Sequence, residues 1–256
     1  MGTVTDNSPG RGMPPPSSDL TIVIPAYDES RRIGARLREI DRYVADEHWA
    51  ADVVVVDDGS TDGTALVVEQ LARELTVPIT VVGSRPNRGK GHAVRTGVLR
   101  ATGRLVLVTD ADLSTPMAEL AGLLPAVRAG VPVVIGSRRV PGAAVEVHQP
   151  RLREAMGEVF ATMTRLLVVR VADVTCGFKV FTRDAAHTIF SRVTLDDWSY
   201  DAEALFLARR YGFEIREVPV RWRDAPGTKV RRTRDAVTSF LGLARILVNA
   251  ARGRYE

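Results

Sequence analysis

Two aspartates with one residue between them, Asp110 and Asp112 in LVTDADLSTP, stand directly after an apolar run. Carboxylates so close repel each other unless something cationic sits between them. A hard divalent ion such as Mg2+ or Mn2+ takes oxygen ligands, often one or two carboxylates together with substrate phosphates. The pair therefore suits a metal that bridges the protein to a nucleotide diphosphate. Capping of the helix after Pro116 accounts for the same two residues equally well, because so short a motif recurs by chance. The elements around the pair have to decide.

Those elements alternate. LTIVIP, DVVVVDDGS, PITVVGS, RLVLVTD and VPVVIGSR are short apolar runs rich in β-branched residues, as expected of strands buried on both faces. Between them fall helical patterns: one through Ile33, Leu37, Ile40 and Val44, one opened by Thr61 and Asp62, one in GHAVRTGVLRA, and one announced by Ser114, Thr115 and Pro116. The alternation predicts a parallel sheet with right-handed crossovers. Beyond Arg139 the pattern changes to a helix over 150–170, a strand in CGFKVFT, a helix over 201–211 and a strand in FEIREVPVRW. Residues 233–252 then form an amphipathic helix, preceded by Lys229, Arg231, Arg232 and Arg234.

At 256 residues, 45% hydrophobic and 26% charged, the chain has the composition of a soluble globular protein with ample material for a core. A net charge of +4 favours anionic partners only weakly and does not call for nucleic acid. The single cysteine, Cys176, excludes an internal disulfide and fits a reducing compartment. The four histidines lack metal-ligand spacing, so no zinc site is expected. Residues 1–18 carry no apolar signal segment and read as a disordered tail rich in Gly, Pro and Ser. No stretch is long and apolar enough to span a bilayer.

Ligands of open parallel sheets bind at the carboxyl ends of the strands. The residues there are Pro25 to Glu29, Asp57 and Asp58, Ser84 to Lys90, Asp110 and Asp112, and Arg138. PAYDESRR has no glycine, which excludes a dinucleotide-binding turn after the first strand. GSRPNRGKG misses the P-loop spacing by one residue and has Gly91 where a hydroxyl belongs.

The motifs VIPAYDESRRI, VVVVDDGSTDGT, NRGKGHAVRTGVLRATG, VTDADLSTP, VIGSRR, CGFKVFTRDAA and WSYDAE stand in the order found in the inverting family-2 glycosyltransferases. The chain resembles that family over residues 19–223, and most closely its polyprenyl- and dolichyl-phosphate sugar synthases. The resemblance implies an α/β GT-A fold with a central, mostly parallel sheet flanked by helices. It also implies a hexosyltransferase that moves a sugar, glucose from UDP-glucose foremost, onto a polyprenyl or dolichyl phosphate. Pro25, Tyr27, Glu29 and Asp57 would line the nucleoside pocket, with Lys90 facing the base or a phosphate. Asp110 would meet the ribose or the metal, Asp112 the metal, and Arg138, Arg151 and Arg153 the acceptor phosphate. Asp201 matches the family's base position. Ser114 stands where mannose synthases of the family often have a Gln, which leaves the third metal ligand open.

The protein would work as a peripheral protein on the cytoplasmic face of a membrane, with residues 224–256 either on the membrane surface or packed on the catalytic domain. Oligomeric state is not legible. Other donors (GDP-mannose, a UDP-N-acetylhexosamine) and other acceptors (a polysaccharide or lipid hydroxyl) remain open, as does a non-enzymatic sugar-nucleotide-binding protein.

Overall fold

The strand-forming runs become seven strands of one sheet and two of a smaller one. The computed structural model describes residues 13–112, 114–224 and 232–256, with the side chains of 151–153 and 232–237 outside the description. The main sheet comprises β1 (Leu20–Ala26), β2 (Ala51–Asp57), β3 (Ile79–Gly83), β4 (Leu105–Val108), β5 (Val133–Ser137), β7 (Lys179–Thr182) and β8 (Ile215–Pro219). Its spatial order is β3-β2-β1-β4-β7-β5-β8. All neighbours are parallel except β7, which runs antiparallel to β4 on one side and β5 on the other. The mostly parallel sheet is as expected; the strand in CGFKVFT, beyond the five alternating units, is the one that runs the other way. An apolar run carries no mark of its direction, so this reversal had no sequence signal.

Strand side chains alternate between faces, and both faces are covered. Ile22, Ile24, Val53, Val55, Leu107, Val134 and Val180 meet α1 (Ile33–Asp46), α2 (Thr64–Glu74) and α4 (Leu120–Arg128). Val23, Val106, Val108, Val133, Ile135 and Phe181 meet α3 (Lys90–Val98), α5 (Arg151–Leu167), α6 (Arg183–Phe190), α7 (Tyr200–Arg210) and α8 (Arg232–Ala251). In α1 the buried positions are Ile33, Leu37, Ile40 and Val44, the stripe that the sequence spacing gave. α2 starts at Thr64 with Gly63 in the cap position, later than the Thr61 and Asp62 opening expected, and Asp62 accepts the Thr64 amide at 3.0 Å just before it.

Two local expectations are corrected. Ser114 does not cap the helix after Pro116: its hydroxyl donates to Asp112 at 2.9 Å, and a short 3-10 turn, Met117–Glu119, leads into α4. FEIREVPVRW is two strands, because after β8 the chain leaves the main sheet and β9 (Arg221–Arg223) pairs with β6 (Ala144–Val147). β6 is mostly exposed and its AVEV gives no apolar run to read.

At the chain's start, Arg183 donates to the Pro14 carbonyl and Ser17 to the Thr102 carbonyl. The described part of the segment expected to be disordered thus lies along the domain, and residues 1–12 fall outside the description. At the other end α8 packs inward. Leu243 and Ile246 are buried with the helices of the sheet, and Phe240 meets Phe160 edge-on at 5.7 Å. On this helix Leu243 is therefore core, and Leu241 and Leu247 stay exposed.

Candidate active site

The reversal of β7 builds the site. Lys179, its first residue, pairs with Val108 and Ile135, so it lies at the sheet edge where β4 and β5 end and where Asp110 and Arg138 follow. A lysine inside CGFKVF, between two fully buried side chains, was the signal available in the sequence. Lys179 is 3% exposed; its ammonium donates to Asp201 at 2.6 Å and to the Cys176 carbonyl. Asp201, at the start of α7, is closed into this pair. Its carboxylate is thus held by an ammonium at the position matched to the family's base.

Lys90 is placed by three anchors, Asp58, Glu203 and Gly91. Asp58 accepts the amides of Arg88 at 3.1 Å and Gly89 at 2.7 Å. Buried Glu203 accepts the amides of Thr194 at 2.9 Å and Leu195 at 2.8 Å, and the Tyr255 hydroxyl at 2.6 Å, which fixes the loop opposite. The Gly91 amide donates to the Asp196 carbonyl at 2.8 Å. A Cβ on Gly89 or Gly91 would collide with the backbone carbonyls of Asp196 or Leu195, and Gly89 sits at φ +114°. The glycines in RGKG thus serve close approach of two backbones. Lys90 emerges with its ammonium 4.8 Å from the ring centre of Trp198 and 2.6 Å from Asp110 Oδ1.

Electrostatics follow from this packing. Burial alone would lower the Lys90 pKa, but Asp110 and Asp201 outweigh it and the ammonium is held above its ordinary value. For Asp110, burial pulls upward, and the charges of Lys90, then Lys179 and Arg138, bring the carboxyl below its ordinary value. Burial, with Asp201 and Asp110 nearby, drives the Tyr200 phenol well above the ordinary range.

Arg138 was expected to hold the acceptor phosphate. Its Nε and Nη2 donate to the two oxygens of Asp173, each at 2.7 Å, its Nη2 also to Thr175 at 2.8 Å, and its guanidinium lies 5.2 Å from the Trp222 ring centre. Asp173 is fully buried and drawn down to about 2: burial opposes this, and the bonds and charge of Arg138 prevail. The fork braces β5 against the loop before β7, while the guanidinium charge is still felt at Asp110. Arg151 and Arg153 begin α5, with side chains outside the described residues.

The remaining predicted residues line the neighbouring strand ends. Asp57 is buried and accepts the Ser60 amide at 3.1 Å. Pro25 lies in β1, and Tyr27 just beyond it is 39% exposed. Glu29 is buried and its carboxylate pairs with Arg32, which feels the charges of Asp112 and Asp110.

Asp112 accepts the amide and hydroxyl of Ser114, at 3.0 and 2.9 Å. Among the described residues no three acidic, His or Cys side chains converge on one point. Two carboxylates, one partnered by an ammonium and one by a serine, fit a hard cation that draws its other ligands from a diphosphate and water.

A mostly parallel sheet with a carboxylate pair and buried cations at its strand ends is the arrangement of the GT-A glycosyltransferases. The glucosyl-3-phosphoglycerate synthase of Mycobacterium tuberculosis, solved with uridine diphosphate, has a similar fold at TM-score 0.66 and 18% identity, over 90% of this chain and 80% of that one. The mannosyltransferase PcManGT of Pyrobaculum calidifontis, solved with GDP-Man and Mn2+, matches at TM-score 0.59 and 23% identity, over 93% of this chain and 68% of that one. The chain belongs to glycosyl transferase family 2, whose description matches residues 21–190. A dolichyl-phosphate β-glucosyltransferase of Trichomonas vaginalis is 32% identical over 84% of this chain and 69% of its own length. The enzyme of that name from Saccharomyces cerevisiae is 30% identical over 85% of this chain and 71% of its own.

Proposed function

We propose that this protein transfers a hexose, glucose from UDP-glucose, to a polyprenyl or dolichyl phosphate with inversion, giving a β-linked lipid-phosphate sugar. The observation that carries this reading is the buried Lys179–Asp201 pair. A sugar hydroxyl acceptor needs a base to take its proton, and the residue in the base position is tied to an ammonium. A phosphate acceptor has no such need: its second pKa is about 6, so it is already a nucleophile near neutrality. The names of the relatives point the same way.

In this reading Asp57, Pro25 and Tyr27 face the nucleoside, and the Lys179–Asp201 pair orients the acceptor. Arg138 holds the β5 end against the loop before β7, and Arg151 and Arg153 are the further candidates for the acceptor phosphate. Asp110 and Asp112 would hold Mg2+ or Mn2+, which when bound offsets charge on the departing diphosphate. Positioning and electrostatics carry the rest.

The lipid acceptor calls for contact with a membrane surface, here its cytoplasmic face. Support lies in the outward side chains of α5 and α8: Leu166 is 76% exposed, Leu167 51%, Val159 53% and Leu241 54%. No described helix is long and apolar enough to cross a membrane.

The test is a donor panel (UDP-glucose, GDP-mannose, UDP-N-acetylhexosamines) offered with polyprenyl phosphate and with a free polyprenol, the glycolipid and its anomer identified by mass spectrometry and NMR. A β-glucosyl phospholipid from UDP-glucose is expected. Transfer to the polyprenol hydroxyl in preference to the phosphate would defeat the reading.

A further inference from the structure

Lys90 raises a question that the transfer reaction does not answer. Its ammonium sits on one of the two oxygens of the carboxylate with which Asp110 would hold a metal. The pairing is built: two glycines with no room for a side chain flank it, Asp58 holds the loop before it, and the Trp198 ring closes over it. Yet it is not sealed. The Lys90 side chain is 14% exposed and that of Asp110 34%, against 3% and 7% for Lys179 and Asp201.

Resting on the reading of Asp110 as a metal-holding residue, we propose that Lys90 is the resident counter-ion of Asp110 in the donor-free protein, and that the site accepts a divalent cation only together with a nucleotide diphosphate. The ammonium at 2.6 Å takes up one of the two Asp110 oxygens, and its charge repels a second cation brought to the same carboxylate. Diphosphate oxygens offer the ammonium another partner within reach of its flexible stem. As Lys90 moves to them, Asp110 is released. The lysine thus makes metal uptake conditional on the donor and keeps the empty site from filling with metal alone.

Mn2+ binding to the full chain, followed by electron paramagnetic resonance with and without UDP, tests this apart from turnover. Without nucleotide, Lys90→Met should bind Mn2+ about tenfold or more tightly than the wild type. UDP should tighten Mn2+ binding by a larger factor in the wild type than in the variant. Equal or weaker nucleotide-free binding in Lys90→Met overturns the proposal. So does wild-type binding without nucleotide that is as tight as with it, a comparison that holds even if the variant is unstable; Lys90→Gln serves as a second variant. Asp110→Asn separates the two readings. If it binds Mn2+ with UDP as tightly as the wild type, the metal assignment of Asp110 fails. If it loses Mn2+ while Lys90→Met matches the wild type, the counter-ion proposal alone fails.

Discussion

Two ammonium–carboxylate pairs of the same 2.6 Å length stand at one end of the sheet, Lys90–Asp110 and Lys179–Asp201. Length does not distinguish them; their supports do. Lys179 is a strand residue gripped by ladders on both sides, and its partner is locked into the first turn of a buried helix. Lys90 stands at a helix start on a loop, and its partner follows the last residues of a strand with a third of its surface open. A sealed pair fixes shape, whereas an open one can trade partners. Arg138–Asp173 belongs with the sealed kind, since its carboxylate is fully buried.

The largest expected effect concerns the open pair. If the Asp110 side of the site takes a divalent cation, excess chelator should abolish transfer and added Mn2+ or Mg2+ restore it. Asp112→Ala should lower kcat/KM by about a thousandfold or more, about 4 kcal/mol, with an unchanged far-UV spectrum. Among the described residues the hydrogen bonds of Asp112 go to its near neighbour Ser114, so its loss should leave the fold intact. Full turnover in chelator would remove the metal from the reading.

Next in size is a direct contrast between the pairs. Lys179→Met leaves Asp201 charged and buried without a partner and should cost about 3–5 kcal/mol in urea unfolding. Lys90→Met leaves Asp110 able to reach water and should cost about 1 kcal/mol or less. Similar losses in both variants would erase the distinction between sealed and open.

A smaller effect, with a pH signature, belongs to Arg138–Asp173. The Asp173 carboxyl titrates at about 2, against an ordinary 3.8. A depressed acid stabilises the fold above its ordinary pKa and loses that contribution as pH falls through the folded value. The shift is worth about 2–3 kcal/mol. Asp173→Asn should therefore lie below the wild type at pH 5, with the gap narrowing between pH 4 and 2. A gap independent of pH would mean that the pair contributes by packing alone.

The contrast between the pairs also marks where sequence reading stopped. The β1, β2 and α1 elements were legible because burial there follows simple periods: runs of Val and Ile, and the Ile33, Leu37, Ile40, Val44 stripe. Lys90, Asp110 and Asp201 were legible as individual residues at element ends. Their partners were not. Lys179 becomes a site residue only because β7 runs backwards between β4 and β5, and Asp173 only because its loop folds onto the end of β5. Glycines 89 and 91 looked like a failed phosphate loop because their purpose, clearance for the 195–196 backbone, lies about a hundred residues away. Charge pairing across a sheet is a property of topology, and one sequence shows the charges without the topology.

The smallest expected effect extends the contrast from sealed and open pairs to the inner and outer faces of α8. Its inner face is sealed: Leu243 and Ile246 are buried, as is Tyr255 beyond its end, and Gly242 lies against Ser199 with no space for a Cβ. Removing the helix would open the core, so a membrane role has to be tested by substitution on the outer face. Leu166 on α5 and Leu247 on α8 are exposed, as are Arg165 and Arg245 on the same helices and Arg252 just past the end of α8. Entry of a leucine into the acyl boundary is worth about 2 kcal/mol. Leu166→Glu and Leu247→Glu should each weaken binding to anionic vesicles by roughly thirtyfold, with thermal unfolding unchanged because neither side chain touches the sealed face. The arginines add about 1 kcal/mol each near an anionic leaflet, so wild-type flotation should also decline with salt. Vesicle binding that survives both leucine substitutions would place the membrane-facing surface elsewhere on the molecule.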